Sequence, residues 1–220
     1  MSSHPGPAPE LITNSIFEIS KTLTEYKIMD LPEIDISVLG NTVFGKFTIT
    51  VFDAVEDYVI MMKEIFDFDF IRSFLRSSPQ FTVLFDAMHA VTGPYATRIL
   101  CKELGLPPNS VMNAIPSENF GGGHPDPNLT YAHELVDIVE RDSISFGAAS
   151  DGDGDRNMII GKGCFVNPSD SVAVIAANAM CIPYFKKHGV KGLARSMPTS
   201  GALDRVAEKQ GIKFFQVPTG

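Results

Sequence analysis

The amino-acid sequence predicts an α/β protein built on an open, mixed and mostly parallel sheet flanked by helices, with a partial α/β domain at each end. From residue 80 onward, short apolar stretches alternate with helical segments, which is the order of βα units. Glycines follow two of the predicted helices, at Gly105 and Gly211. In addition, 44% of the 220 residues are hydrophobic, enough for real cores in one or two domains.

The elements before residue 80 are less regular. Residues 11–26 carry apolar side chains at helical spacing and predict an amphipathic helix, and residues 44–51 alternate as a single strand does. Residues 54–66 are expected to be helical. The phenylalanine-rich and aspartate-rich stretch 65–75 predicts a linker that leads into a helix, with its aromatic side chains in the core.

The second part of the chain repeats a strand-helix order, which requires helices on both faces of the sheet. The strand-helix order then starts again after residue 190. The predicted strands are 81–85, 110–114, 144–149, a strand at Met158, 192–196 and 212–217, and the predicted helices are 93–104, 130–141, a buried helix at 171–184, and 201–210.

Charge and hydropathy exclude several classes of partner. The net charge of -8 and the lack of a basic run oppose binding to nucleic acid. The most apolar stretch, 171–184, is too short to span a bilayer and contains Asn178 and Pro183, so no membrane partner is expected. The 3 cysteines lie at wide, irregular spacing, which is typical of reduced thiols in a cytosolic protein.

The most informative segment is an acidic loop near the middle of the chain. Asp151, Asp153 and Asp155 alternate with two glycines, and Arg156 follows directly. The glycines let the chain bend so that alternate carboxylates converge. Hard oxygen ligands without cysteine or histidine select Mg2+, Mn2+ or Ca2+. Three aspartates beside an arginine therefore predict a metal site that takes a phosphorylated substrate.

Three other interpretations of this loop fit the sequence less well. An EF-hand requires glycine at position six and glutamate at position twelve, where this sequence has Arg156 and Lys162. A solvated acidic turn would leave three carboxylates repelling one another. A glycosyltransferase with an Asp-x-Asp metal motif would also need a base-binding pocket, and nothing in the sequence marks one.

Several segments together resemble the eukaryotic-type phosphoglucomutases of the α-D-phosphohexomutase superfamily. The resemblance implies reversible transfer of phosphate between C1 and C6 of glucose, through a phosphoserine enzyme and glucose 1,6-bisphosphate. It also implies one Mg2+ per site, a phosphosugar substrate, a monomer when intact and a cytoplasmic location, with a plastid form left open. The matching segments are FDAMHAVTGPYA (85–96), NFGGGHPDPNLTYA (119–132), FGAASDGDGDRNM (146–158), NPSDSVAVIAAN (167–178) and ARSMPTSGALDRVAEK (194–209).

The resemblance also carries over residue by residue. Asp151, Asp153 and Asp155 match the Mg2+ ligands, which a phosphoserine oxygen completes in the intact enzyme, and Arg156 matches the arginine that meets the phosphoryl group. Thr219 and Gly220 match the start of a sugar-recognition loop in the third domain.

The same resemblance implies a division of the chain. Residues 1–54 are expected to be the end of domain 1, residues 55–188 to be domain 2, and residues 189–220 to be the truncated start of domain 3.

One departure from the family pattern concerns catalysis. The family's serine nucleophile lies in a Thr-Ala-Ser-His-Asn-Pro-Gly-Gly loop, and no such run occurs in these 220 residues. The segment Ser3-His4-Pro5-Gly6 resembles part of that loop, and this similarity is interpreted as chance. No catalytic residue is therefore predicted, and the chain is expected to be a fragment at both ends that is inactive alone. The alternative is a non-catalytic phosphoglucomutase-like binding or scaffold protein.

Five further residues are weaker candidates for ligand contact. His89 follows a predicted strand, although a lone histidine there more often packs or hydrogen-bonds within a loop. His124 lies in a long loop rich in glycine and proline, where function and turn formation are both reasonable roles. Arg195, Ser196 and Thr199 lie at a strand end, where open sheets collect their ligands.

Overall fold

The computed structural model of the protein describes residues 8–219. Ser3 and Gly220 lie outside the described residues. The chain divides into two compact units, one containing residues 8–52 with 218–219 and the other containing residues 53–217. In the described part of the chain, no helix has the length and apolar character needed to cross a membrane.

The first unit contains one helix and a two-stranded hairpin. Helix α1 (Glu10–Thr22) confirms the predicted amphipathic helix but ends at Thr22 rather than at Tyr26, and none of its residues is buried. Strands β1 (Gly40–Phe44) and β2 (Phe47–Val51) pair antiparallel, with Phe44 opposite Phe47. The prediction of one strand over 44–51 is therefore wrong. The chain reverses at Gly45, whose φ of 60° is a left-handed conformation that suits a tight turn.

The second unit contains a five-stranded sheet with strand order β4-β3-β5-β6-β7. Strand β3 pairs in parallel with both β4 and β5, and β6 runs antiparallel to its neighbours β5 and β7. Four strands therefore point the same way, which confirms a mixed and mostly parallel sheet. The strands are β3 (Val83–Asp86), β4 (Val111–Met112), β5 (Phe146–Ser150), β6 (Asn157–Gly161) and β7 (Cys164–Val166).

Helices precede, connect and follow these strands. The helix predicted at 93–104 is split, because an α-helical turn continues into a π-helix at Thr97–Glu103. Its end is followed by Gly105 with φ of 80°. The helices of this part are α2 (Ala54–Ile65), α3 (Phe68–Ser77), α4 (Thr92–Ala96), α5 (His133–Asp142), α6 (Pro168–Ala177) and α7 (Pro183–His188).

Two predicted helices have different limits in the structure. The helix predicted at 130–141 begins only at His133, because the Asn128 side chain accepts hydrogen bonds from the backbone N–H groups of Thr130 and Tyr131. The buried helix predicted over 171–184 is wrong as one element. It is interrupted after Ala177, and two of the three branched aliphatic side chains of α6, Val174 and Ile175, are exposed.

The main core lies between the sheet and α5. Leu135 and Val139 of α5 are fully buried and pack with Met158 and Ala149 of the sheet. Phe68, at the start of α3, is buried as expected, whereas Phe70 is exposed, so only part of the phenylalanine-rich stretch joins the core. This packing fixes the central strand β5 and, with it, the loop that follows.

The last part of the second unit is a small parallel pair of strands with one helix. Strands β8 (Leu193–Ser196) and β9 (Phe214–Val217) pair in register, and α8 (Ala202–Gln210) connects them. Leu203 of α8 is fully buried in a cluster with Ala173 and Ala176 of α6. The three elements agree with the predicted strand-helix-strand order.

Candidate functional site

The carboxyl ends of the three neighbouring parallel strands place polar residues at one edge of the sheet. Asp86 ends β3 and is buried, Asn113 follows β4, and Asp151 follows the central strand β5 and is also buried. Asp86 accepts hydrogen bonds from the backbone N–H of Met88 at 2.8 Å and from the side chain of Asn113 at 2.9 Å. Ligands of open sheets bind at this edge, so the acidic loop occupies the expected position.

The acidic loop connects two paired antiparallel strands, as the sequence predicts. Ser150 pairs with Asn157, and residues 151–156 form the connection between them. One carboxylate oxygen from each of Asp151, Asp153 and Asp155 lies within 4.8 Å of the others. Asp151 is buried and the other two are exposed, so the cluster has one face on the protein and one toward solvent.

Gly154 has a backbone conformation that this convergence requires. Its φ of 81° is left-handed, and a Cβ there would lie 2.7 Å from the Cγ2 atom of Thr92. Thr92 is itself fixed by a 2.6 Å hydrogen bond between its hydroxyl and that of Ser150. A glycine therefore meets both the conformational and the steric demand at this position.

Arg156 closes the loop onto its first aspartate. Its backbone N–H donates to Asp151 Oδ1 at 3.0 Å, and its Nε donates to Asp151 Oδ2 at 2.9 Å. Its Nη1 donates to Asp126 Oδ1 at 2.6 Å, while Asp155 lies 3.8 Å from Nε. The hydrogen bond that the guanidinium donates to Asp151 raises the pKa of Arg156 above its ordinary value.

The carboxyl groups of the loop differ in their acidity. Burial acts to raise the pKa of Asp151, but the hydrogen bonds from the Arg156 backbone and side chain outweigh it, so the pKa lies below its ordinary value. The negative charge of Asp153 raises the pKa of Asp155 above its ordinary value. A divalent cation would relieve that repulsion, and an all-oxygen donor set fits Mg2+ or another hard cation.

The weaker candidates have protein partners in the structure. The Arg195 guanidinium pairs with both oxygens of Asp204, at 2.5 and 2.7 Å, and the hydroxyls of Ser196 and Thr199 lie 2.7 Å apart. His89 Nδ1 lies 3.2 Å from the carbonyl oxygen of Ile115.

Two other predicted contacts belong to loops. His124 packs its ring against Tyr131, with 4.3 Å between ring centres. Thr219 belongs to the first unit, whereas the acidic loop belongs to the second.

Asp126 is a site residue that the sequence reasoning missed. It is 30 positions from Arg156 in the chain, so no local pattern joins the two. The sequence signal for Asp126 is its position in the long loop rich in glycine and proline, which also contains His124.

Fold and site together define an α/β/α domain with an acidic loop of the metal-binding kind at the carboxyl end of its central strand. Family models described as "Phosphoglucomutase/phosphomannomutase, alpha/beta/alpha domain II" and "domain III" match residues 56–163 and 168–220. The chain belongs to the phosphoglucomutase/phosphomannomutase family. A relative in this family is named phosphoglucomutase, and the family implies a metal-dependent phosphohexomutase.

Relatives and a solved structure support the same assignment. A phosphoglucomutase of Emericella nidulans is 63% identical over 98% of this chain and 39% of its own. Two proteins of Arabidopsis thaliana, "Probable phosphoglucomutase, cytoplasmic 2" and "Phosphoglucomutase, chloroplastic", are each 58% identical, over 98% and 97% of this chain and 39% and 34% of theirs. The crystal structure of parafusin, a phosphoglucomutase from Paramecium, has a TM-score of 0.85 and 48% identity over 97% of this chain and 40% of its own. The chain thus spans about two fifths of the length of the relatives it matches.

Proposed function

We propose that the protein is a phosphoglucomutase, which interconverts glucose 1-phosphate and glucose 6-phosphate through a phosphoserine enzyme and glucose 1,6-bisphosphate. The observation that carries this proposal is the acidic loop, where three carboxylate oxygens converge beside an arginine at the carboxyl end of the central strand. The names of relatives more than half identical to this chain support the same reaction.

The residues of the loop have distinct roles in this proposal. Asp151, Asp153 and Asp155 hold one Mg2+, which when bound neutralises charge on the transferring phosphoryl group. Arg156 donates N–H groups to phosphoryl oxygens and offsets their negative charge. Thr219 and Gly220 take part in recognition of the sugar. The hydrogen bonds that Asp151 accepts from Arg156 hold the pKa of its carboxyl below the ordinary value, which favours the charged form that metal binding requires.

The division of the chain is part of the same proposal. Residues 1–54 form the end of domain 1, residues 55–188 form domain 2 with the metal loop, and residues 189–220 form the start of domain 3. The change of compact unit at residues 52 and 53 supports the first boundary. A cytoplasmic monomer acting on a phosphosugar is proposed, with a plastid form as the alternative because relatives carry both names.

Metal binding by this chain is the first test. Mn2+ should bind the unchanged chain in an electron paramagnetic resonance titration, and Mg2+ should compete with it. Asp151→Asn, Asp153→Asn and Asp155→Asn should each weaken Mn2+ binding by about tenfold or more, because each removes a charged ligand. Asp137→Asn, an exposed carboxylate on α5, is the matched control and should leave the affinity unchanged. If all four variants bind Mn2+ as tightly as the unchanged chain does, the proposed ligands are wrong.

Turnover is the second test. A coupled assay would follow glucose 6-phosphate formed from glucose 1-phosphate, with Mg2+ and a trace of glucose 1,6-bisphosphate, on this chain and on Ser3→Ala. No activity is expected, because the family's serine loop does not occur in these residues. Activity that Ser3→Ala abolishes would assign the nucleophile to Ser3. Activity that survives would show that another residue accepts the phosphoryl group.

The second candidate function is a non-catalytic phosphoglucomutase-like binding or scaffold protein. The three retained carboxylates disfavour it, because an empty cluster of three carboxylates costs repulsion. A binding protein of this kind would not need the metal. Equal affinity of the chain for glucose 1-phosphate with and without Mg2+ would therefore support this alternative.

A further inference from the structure

The guanidinium of Arg156 is held by two carboxylates that come from separate segments of the chain. Asp151, at the end of the central strand, accepts from Nε at 2.9 Å, and Asp126, in the loop before α5, accepts from Nη1 at 2.6 Å. Among the described residues, these bonds leave Nη2 as the guanidinium nitrogen without a protein partner. The guanidinium is thus held at Nε and Nη1, and Nη2 remains available to a ligand.

Each of the two carboxylates is itself fixed. The second hydrogen bond of Asp151, from the backbone N–H of Arg156, and its burial hold it in place. Asp126 Oδ2 accepts a 2.8 Å hydrogen bond from the side chain of Asn128. The other side-chain atom of Asn128, Oδ1, accepts from two backbone N–H groups just before α5. A continuous set of bonds therefore connects the start of α5 to Arg156.

This arrangement differs physically from an isolated surface ion pair. Lys21 and Glu18 on α1 form such a pair, with both side chains more than half exposed, and holding it costs rotamer freedom on both sides. Arg156 is 60% exposed as well, but the Asp126 side chain is 29% exposed and the Asp151 side chain 4%. Because both acceptors are ordered by other bonds, the guanidinium loses its freedom when the loop folds rather than when a ligand binds.

We propose that Asp126 is a positioning residue, which holds Arg156 so that Nη2 faces the phosphoryl group of the substrate. This inference rests on the proposed function, because it assumes that a phosphorylated ligand binds at the acidic loop. Asp126 does not touch the ligand. It acts by restricting the guanidinium, whose fixed plane then presents one free nitrogen to a phosphoryl oxygen.

The tether, which is the ion pair between Asp126 and Arg156, can be tested without any ligand. In a chain labelled with 15N, the Arg156 Nη protons should give separate, slowly exchanging signals, because rotation about the Nε–Cζ bond breaks the bond from Nη1 to Asp126. Arg156→Lys identifies those signals by their loss. Asp126→Asn should merge or remove them, Asp126→Glu should retain them in part, and the exposed control Asp137→Asn should leave them intact. Freely rotating signals in the unchanged chain, or restricted signals in Asp126→Asn, would overturn the inference.

The functional consequence is tested with inorganic phosphate at saturating Mn2+. Asp126→Asn should weaken phosphate binding by about tenfold in calorimetry, the size of effect that outer-shell partners have. Asp137→Asn should bind phosphate as the unchanged chain does. Unchanged phosphate affinity in a folded Asp126→Asn chain that has lost the tether signals would overturn the positioning role.

The two proposals fail in different ways. An unchanged chain that does not bind Mn2+ would refute the proposed metal site, while the tether signals would still be present. A chain that binds Mn2+ but not phosphate would refute the proposed role of Arg156, and the positioning role of Asp126 with it. Loss of the tether signals in Asp126→Asn, together with weaker phosphate binding and normal circular dichroism, would support both.

Discussion

Two glycines in the acidic loop, Gly152 and Gly154, make unequal demands on the backbone. A Cβ at Gly152 would lie 3.5 Å from the nearest atom, which is ordinary contact, whereas at Gly154 it would lie 2.7 Å from Thr92 in a left-handed conformation. The sequence indicates that the loop must bend, but its two glycines look alike. Only the geometry distinguishes the glycine that is required from the one that is replaceable.

The substitution Gly154→Ala should damage the loop, and Gly152→Ala should be tolerated. The first is expected to lower the free energy of unfolding by about 1 to 3 kcal/mol, the cost of a left-handed conformation for a residue with a Cβ. It should also weaken Mn2+ binding, since the loop must shift away from Thr92. Urea unfolding and Mn2+ titration of both variants provide the measurements. Similar losses in the two variants would contradict the assignment.

At the scale of elements, Arg195 connects strand β8 to helix α8. Its guanidinium donates to both oxygens of Asp204 and also, at 3.2 Å, to the backbone carbonyls of Ser196 and Met197. The sequence places Arg195 at a strand end and predicts a ligand contact there. The structure instead gives it a bidentate ion pair across nine residues, because α8 folds back over the strand that precedes it.

This ion pair should make stability depend on pH. The hydrogen bond from Arg195 lowers the pKa of Asp204 below its ordinary value of 3.8. A lowered folded-state pKa stabilises the fold above the unfolded-state value, and the contribution disappears as the pH falls through the folded-state pKa.

The expected result is that Asp204→Asn destabilises the chain near neutral pH, and that the difference from the unchanged chain shrinks as the pH falls below 3.8. Denaturant unfolding at a series of pH values measures this difference. Glu208→Gln on the same helix is the control and should give no such trend. A difference that stays constant down to acid pH would argue against the pair as its source.

At the scale of the whole molecule, the chain contains two units with very different burial. Helix α1 has no buried residue, and Leu11, Ile16 and Phe17 on it are all exposed. The unit of residues 53–217 has two buried clusters and carries the acidic loop. Because a hydrophobic core is what stabilises a domain, the second unit is expected to hold most of the stability.

A shortened chain of residues 53–220 should therefore fold and bind Mn2+ as the full 220-residue chain does. Cooperative thermal unfolding by circular dichroism tests the fold, and the same Mn2+ titration tests the site. A matched change, Leu135→Ala in the main core, should lower stability by about 2 to 5 kcal/mol in both chains, because it removes a fully buried side chain. Failure of the shortened chain to unfold cooperatively would show that residues 1–52 are needed for the fold.

The sequence by itself determined the α/β class, the strand-helix order after residue 80 and the acidic loop with Arg156. These are local properties, because hydrophobic periodicity and a contiguous motif do not depend on distant residues. The tertiary structure decided the hairpin turn at Gly45, the interruption after Ala177, the pairing of Arg195 with Asp204 and the contact of Asp126 with Arg156. A helix ends where packing and capping favour an end, and residues 126 and 156 meet only because their loops lie at the same edge of one sheet.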